Sequence, residues 1–502
     1  MLVLGLFAGC REDEGPYIPT GDALHDGSGT QNTQPANPTD QQLTLACYFD
    51  RSLNPYTATD LTNRTLLPLL YQGLFSIDRN YQPVPILCNT YSMSPDMKTY
   101  TFTLCDARFS DGTEVTPVDV MASLEAAKKG SYYSGRFQHI TGISVDNDAV
   151  IIQLDTPFQN LPLLLDIPIV RADEVDAQIP TGSGPYVMDD TLAGKQLRRQ
   201  AAWWCKTDLV VTAPHIPLVA ATSTSQIRDQ FEFADVGLVC ADPGSDSYAD
   251  YRCDYEIWDC ENGLFLYLVC NSKSEIFSND TVRQALTHAI DRDALVNTFY
   301  RGFAMSTTLP VSPLSPFYNK TLAGRYEYDS LKFTDALTEA GLQGSQITFL
   351  VNSDDSLRVR VGRYIANVLR EYGLVVNLQE MTTNTFIEHL RWGTYDLYLG
   401  QTKLSPNMDL SPFFARYGSL NYGGLADTTI YTTALDALAN SGNYYNLHKQ
   451  VMEDAQLCPL LVRTYAIYAT RGLLTQLNPS RDNVFFYTTG RTLADAHAEE
   501  TN

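Results

Sequence analysis

Between Tyr100 and Val120 the chain reads Tyr-Thr-Phe-Thr-Leu, then Arg-Phe-Ser-Asp-Gly-Thr, then Val-Thr-Pro-Val-Asp-Val. Alternation of Tyr100, Phe102 and Leu104 predicts a half-buried strand. Asp111-Gly112 predicts a tight turn, since glycine tolerates the positive φ that other residues avoid. Thr116 is placed to accept a bond from a free helix amide, Pro117 suits the first helical position, and Asp119 favours the positive end of the dipole. A helix over 118–127 follows, with Gly130 as its stop. A strand feeding a helix in this way predicts a mixed α/β fold.

A second segment fixes the kind of sheet. Ile347 to Val351 reads as a strand, and Leu357, Val361, Tyr364, Ile365, Val368 and Leu369 form one helical stripe that Gly373 ends. Leu374 to Leu378 is a strand again. Such a β-α-β unit predicts a parallel sheet with a right-handed crossover. Leu43 to Phe49 predicts another strand and Thr62 to Leu70 a short helix, and no repeat of 20–50 residues is present.

With 502 residues the chain is long enough for two or three domains with cores of their own. Its net charge of −23 argues against nucleic acid, which needs clustered Lys and Arg, and against adsorption to an anionic bilayer. Enzyme signatures are missing: there is no Gly-x-Ser-x-Gly elbow, no His-Glu-x-x-His and no phosphate-binding Gly-x-x-x-x-Gly-Lys. The seven histidines show no ligand spacing, and His288 within an apolar helix reads as structural. No metal site and no cofactor are expected. Most cysteines sit in apolar surroundings and read as buried free thiols, a Cys253–Cys260 bridge being the alternative.

Residues 1–10, Met-Leu-Val-Leu-Gly-Leu-Phe-Ala-Gly-Cys, look like the end of a lipoprotein signal peptide, with Cys10 as the lipidated residue. Residues 11–42 are poor in large apolar side chains and read as a flexible tether. Together these features predict a chain anchored to the outer face of the cell membrane or held in the periplasm.

The string from Tyr100 to Val120 resembles a block of the extracytoplasmic solute-binding proteins of ABC importers, family 5, the peptide-binding type. Ser52-Leu53-Asn54-Pro55 with Leu70-Tyr71-Gln72-Gly73-Leu74 is similar to the family's opening, and Gly182-Ser183-Gly184-Pro185-Tyr186 to its central loop. Phe277 through Gly302 is similar to its long second-lobe helix, and Gly393-Thr394-Tyr395-Asp396-Leu397 to the strand leading toward ligand. The resemblance implies an α/β, two-lobed periplasmic-binding-protein-like fold (class II, cluster C type) with an extra sub-domain on the first lobe. It divides the chain into a first lobe (43–75, 166–270 and 465–495), its sub-domain (76–165) and a second lobe (271–464). Two strands would cross between lobes, near Cys270-Asn271 and near Leu461–Tyr465. The implied function is capture of a solute, a peptide in the first instance, by closure of the lobes, and delivery by a monomer to an ABC permease without bond chemistry. The alternatives are a non-peptide solute (metal chelate or oligosaccharide), or a surface receptor or adhesive protein uncoupled from transport.

The resemblance also places the site residues. The family often holds a peptide's ammonium with an Asp shortly after a Gly-Trp, but here Gly400 is followed by Gln401-Thr402-Lys403-Leu404-Ser405. Asp409 is the nearest carboxylate, as ligand contact or helix cap. Arg463, inside an apolar run, reads as a grip on a ligand carboxylate or as a structural salt bridge. Tyr465 on the same face packs ligand or core. Tyr48, Phe49 and Asp50 precede Leu53-Asn54-Pro55 at a family contact position, where core packing explains Phe49 equally well, and Asn421 falls at a cleft position.

Overall fold

The computed structural model describes residues 42–497 apart from Asp246, Ser247, Ala249, Gly423 and Thr475. Cys10 and the tether up to residue 41 therefore lie outside the described residues. Two long strands, Tyr255–Cys270 and Leu457–Thr470, run antiparallel beside each other through the middle of an eleven-stranded sheet. On one side of them lie Leu397–Lys403, Gln346–Asn352 and Val375–Met381; on the other lie Leu238–Ala241, Leu45–Cys47, His215–Ala220, Gly194–Arg199 and Tyr186–Thr191. The short strand Ala304–Ser306 adds to Leu457–Thr470. The two halves of one sheet are thus two lobes, joined by strands that belong to both.

The crossing point is marked by an irregularity. Register slips between Glu261, opposite Thr464, and Phe265, opposite Val462. Gly263 sits in this slip at φ +73°, and a Cβ there would stand 2.6 Å from the Arg481 guanidinium. Only glycine accepts both the conformation and the approach. Beyond the slip the strand pairs with Leu397–Lys403 from Leu264 through Cys270.

Local expectations fare well where the chemistry is local. The strand Thr99–Leu104 sits within a four-stranded antiparallel sheet made of Cys88–Met93, Thr99–Leu104, Ala149–Leu154 and Ile140–Asp146. Gly112 takes φ +89°, and helix Pro117–Lys129 follows, with Gly130 as its C-cap. At its start the Thr116 amide and hydroxyl both donate to the Asp119 carboxylate, at 2.8 and 2.7 Å. The unit of Gln346–Asn352, helix Ser356–Glu371 and Val375–Met381 is parallel, with Gly373 at φ +93° beyond the helix.

Other expectations change. The strand expected over Leu43–Phe49 is only Leu45–Cys47. The long helix implied over 277–302 is two, Asp280–Leu286 and Arg292–Tyr300. Asp291 caps the second by accepting from Ala294 N at 2.9 Å. The buried Arg292 guanidinium then donates to Thr287 O at 2.8 Å, satisfying a carbonyl freed by the break. The nine described cysteines are free. Cys260 is buried in the first crossing strand with its sulfur 3.5 Å from Ser480 O, so the Cys253–Cys260 bridge does not form. His288 donates from Nδ1 to Glu327 O, 2.6 Å away, as a structural histidine.

Candidate functional site

The seam between the lobes is charged. Helix Leu61–Leu70, capped by Asp60 through Asn63 N, turns Arg64 into it. The segment after helix Pro117–Lys129 brings Tyr132, Tyr133 and Arg136. The end of strand Leu397–Lys403 brings Lys403 from the second lobe, and the chain beyond the second crossing strand brings Arg481 and Asp482. The glycines of the central loop let these parts meet: a Cβ on Gly184 would stand 2.4 Å from the backbone of Leu70, where the Arg64 helix ends.

Within the seam Lys403 Nζ lies 2.5 Å from Asp482 Oδ2 and 2.6 Å from the Tyr132 hydroxyl, joining second lobe to first. The Tyr132 ring lies under both Lys403, at 4.1 Å, and the Arg64 guanidinium, at 3.3 Å. Arg136 pairs with Asp166. Arg481 donates to Tyr81 OH at 2.8 Å and stands 3.7 Å from Glu261, whose other oxygen accepts from Ser312 Oγ at 2.7 Å. Arg64 instead donates to Ala58 O at 3.0 Å and to Tyr133 OH at 3.3 Å, with no carboxylate in ion-pair reach among the described residues.

Burial decides the electrostatics. It pushes the Lys403 ammonium down to about 8 against the pull of Asp482, and Arg136 down to about 10. Burial would raise Asp482, but Lys403 and Arg481 outweigh it and hold its carboxyl below the usual range. Glu261 moves the other way, because for it burial exceeds the help of Arg481. Four cations (Arg64, Arg136, Lys403, Arg481) face three carboxylates (Asp166, Asp482, Glu261) in a chain whose net charge is −23. The buried Oδ1 of Asp482 has no hydrogen-bond partner.

The open space here is small. A cavity of about 90 Å³ is bordered by Arg64, Arg136, Arg481 and Asp482, and an adjoining one of about 80 Å³ by Arg64, Tyr132, Tyr465 and Asp482. Small-molecule sites usually measure about 300–1,000 Å³. The lobes are therefore shut, with their own side chains filling most of the seam.

Of the candidate ligand contacts named from the sequence, Tyr465 alone borders these cavities, beside Tyr71, Gln72 and Gly73 of the opening motif. Arg463 Nη2 reaches both oxygens of Asp242 at 2.8 Å, the salt bridge of its two readings. Asp409 accepts from Ser411 N at 2.8 Å and faces His139 Nε2 at 3.3 Å, tying the sub-domain to the second lobe. Asn421 donates to Ala415 O at 2.8 Å and holds its own loop. Tyr48 is buried beneath Arg51, Phe49 is half-exposed beside Lys195, and Asp50 is exposed, all away from the seam cavities. The seam residues missed, above all Arg64, Arg136 and Lys403, sit among polar neighbours (Asn63 and Thr65, Ser134 and Gln138, Thr402 and Ser405), so the signal that singled out Arg463 is absent from them.

Two lobes hinged on shared strands, with a polar seam between them, define a periplasmic-binding-protein fold. The sequence profile described as bacterial extracellular solute-binding proteins, family 5 Middle, matches residues 82–424. The glutathione-binding protein GsiB of Shigella flexneri serotype 5b (strain 8401) is 25% identical over 351 residues, covering 66% of this chain and 67% of that protein. The oligopeptide-binding protein AppA of Bacillus subtilis, solved with a nonapeptide, superposes with a TM-score of 0.60 at 20% identity, over 88% of this chain and 97% of its own. NikA of Brucella suis, solved with Fe(III)-EDTA, superposes with a TM-score of 0.68 at 18% identity, over 89% and 98%. The chain belongs to the extracellular solute-binding proteins of family 5, which serve ABC transporters.

Proposed function

We propose that this chain captures a small solute carrying an anionic group, a peptide or related acid bound through its carboxylate, and hands it to an ABC permease. The observation that carries the reading is Arg64, a seam cation with no carboxylate partner, which leaves the seam one positive charge in excess. A ligand carboxylate would meet charge-assisted donors there without leaving a protein carboxylate unpaired. Asp482 is already engaged by Lys403, so a free peptide ammonium has to compete with a lysine for it. The cavities are too small for a peptide, so the Lys403–Asp482 link parts on entry and the lobes close again over the guest. No catalytic step is needed. The lipid anchor at Cys10 and its tether would keep a monomeric receptor near its permease.

Thermal shift tests this reading, because a ligand that prefers the folded state raises stability as RT ln(1 + [L]/Kd). Free peptides, peptides blocked at the carboxyl end, N-acetylated peptides, EDTA-type chelates and neutral oligosaccharides are compared. Stabilisation that requires a carboxylate, survives N-acetylation and is lost in Arg64→Gln is expected. Chelates alone acting would move the reading to the metal-chelate class, and oligosaccharides alone acting would end it.

A further inference from the structure

Strand alternation turns Thr464 away from Tyr465, which borders the seam, and onto the opposite face of the crossing strands. There it borders a cavity of about 760 Å³, a ligand-sized space far roomier than the seam. Its floor is apolar and buried, with Val296, Phe303 and Ala304 beside Thr464. Thr307 and Thr308 have their hydroxyls bonded to Leu309 O and Ala323 O, at 2.8 and 2.9 Å. Thr464 does not: it is 3% exposed, and its Oγ1 has no hydrogen-bond partner. Thr464 thus adds an unpaired buried hydroxyl to the wall beneath this space.

The mouth differs from the floor. Asp291, Asp293 and Glu327 stand there against Lys320, and the rings of Tyr318 and Tyr328 join them. Asp291 is engaged as a helix cap, whereas Asp293 and Glu327 have no salt-bridge partner among the described residues. Acidic groups and aromatic faces above an apolar floor favour a cation with an apolar body. The wall also spans the hinge. Asp259, held by Arg79 at 2.8 Å, comes from the first-lobe half of its strand, while Ala304 to Thr308 belong to the second lobe.

We propose that this rear cavity is a second binding site, for a small organic ammonium compound with an apolar body. Because both lobes build its wall, its shape changes when they part, and occupancy is coupled to closure of the seam. The coupling is reciprocal: a rear ligand that prefers the shut form tightens solute binding, and solute tightens the rear ligand.

Calorimetric titration of the full chain with phenethylamine, 2-phenylethanol and phenylacetate tests this. Phenethylamine is expected to bind at least about tenfold tighter than the alcohol, with phenylacetate weakest. The double variant Asp293→Asn, Glu327→Gln should abolish the preference for the amine, and Thr464→Val should weaken the amine and the alcohol alike. Three probes of equal affinity, or no binding of the amine, would overturn the proposal.

Discussion

Leu266, Leu268, Phe349 and Leu399 meet in the second lobe with no solvent exposure, on strands that a few residues further along deliver Glu261 and Lys403 to the seam. Both regions are buried, yet one is hydrocarbon and the other holds seven charged groups. The difference follows from what each region does over time. A lobe core stays shut, so apolar packing serves it. A seam that opens returns its charges to water, which relieves the cost of burying them whenever a partner is missing.

The comparison breaks first at Phe349→Ala. Removing that ring from a filled core should lower global stability by about 3–5 kcal/mol in chemical denaturation, with X-ray scattering of the native state unchanged. Asp482→Asn is the counterpart in the seam. It strips Lys403 and Arg481 of a carboxylate, at a cost of up to roughly 3–5 kcal/mol to the shut form. Opening relieves it, so the global loss should fall well below that of Phe349→Ala while the radius of gyration rises and solute affinity drops. Equal global losses with unchanged scattering would show that the seam is an ordinary core.

One buried polar group of the second lobe, His448, sharpens the contrast. His448 is fully buried, neither ring nitrogen has a partner, and burial holds it down to about 3. The unfolded chain takes up a proton near pH 6.5 while the folded one does not. Stability is therefore complete above that pH and falls as pH drops toward 3, by about 2 kcal/mol between pH 7 and pH 5. His448→Leu should flatten that slope in denaturation curves taken across the range; an unchanged slope would assign the acid sensitivity elsewhere.

What could be read in the sequence divides along the same line. The strand before Asp111-Gly112, the helix after Thr116 and the parallel unit around Ser356–Glu371 were legible because turn, cap and period act over a few residues. The lobe cores were legible in outline, since apolar stripes show which face is buried. The seam was not. Arg64, Arg136, Lys403 and Asp482 come from four distant segments, and no local pattern tells a charge which partner it will meet. The rule that a charge in an apolar run needs a partner was sound for Arg463, but that partner is Asp242. The break between Leu286 and Arg292 was hidden for a similar reason, because Arg292 compensates for it with donors that have no period.

A last contact tests whether the seam is the only thing that holds the lobes together. His139, in the sub-domain, is buried between Asp155, at 3.0 Å from Nδ1, and Asp409 of the second lobe, at 3.3 Å from Nε2, with Ser411 Oγ at 3.1 Å. Burial lowers its pKa, but Asp409 and Asp155 outweigh burial and raise it. The protonated ring thus favours the shut form, fully so below about pH 6.5, and this contribution is lost as pH rises through the raised folded value. Lys403 works in the opposite sense at higher pH, since a depressed ammonium pKa favours closure as protons leave. His139→Gln isolates the latch: it should remove roughly 1–2 kcal/mol of closure below pH 6.5 and flatten the opening seen by scattering between there and neutrality. A variant that opens no more readily than the parent at pH 6 would show that this contact does not hold the lobes shut.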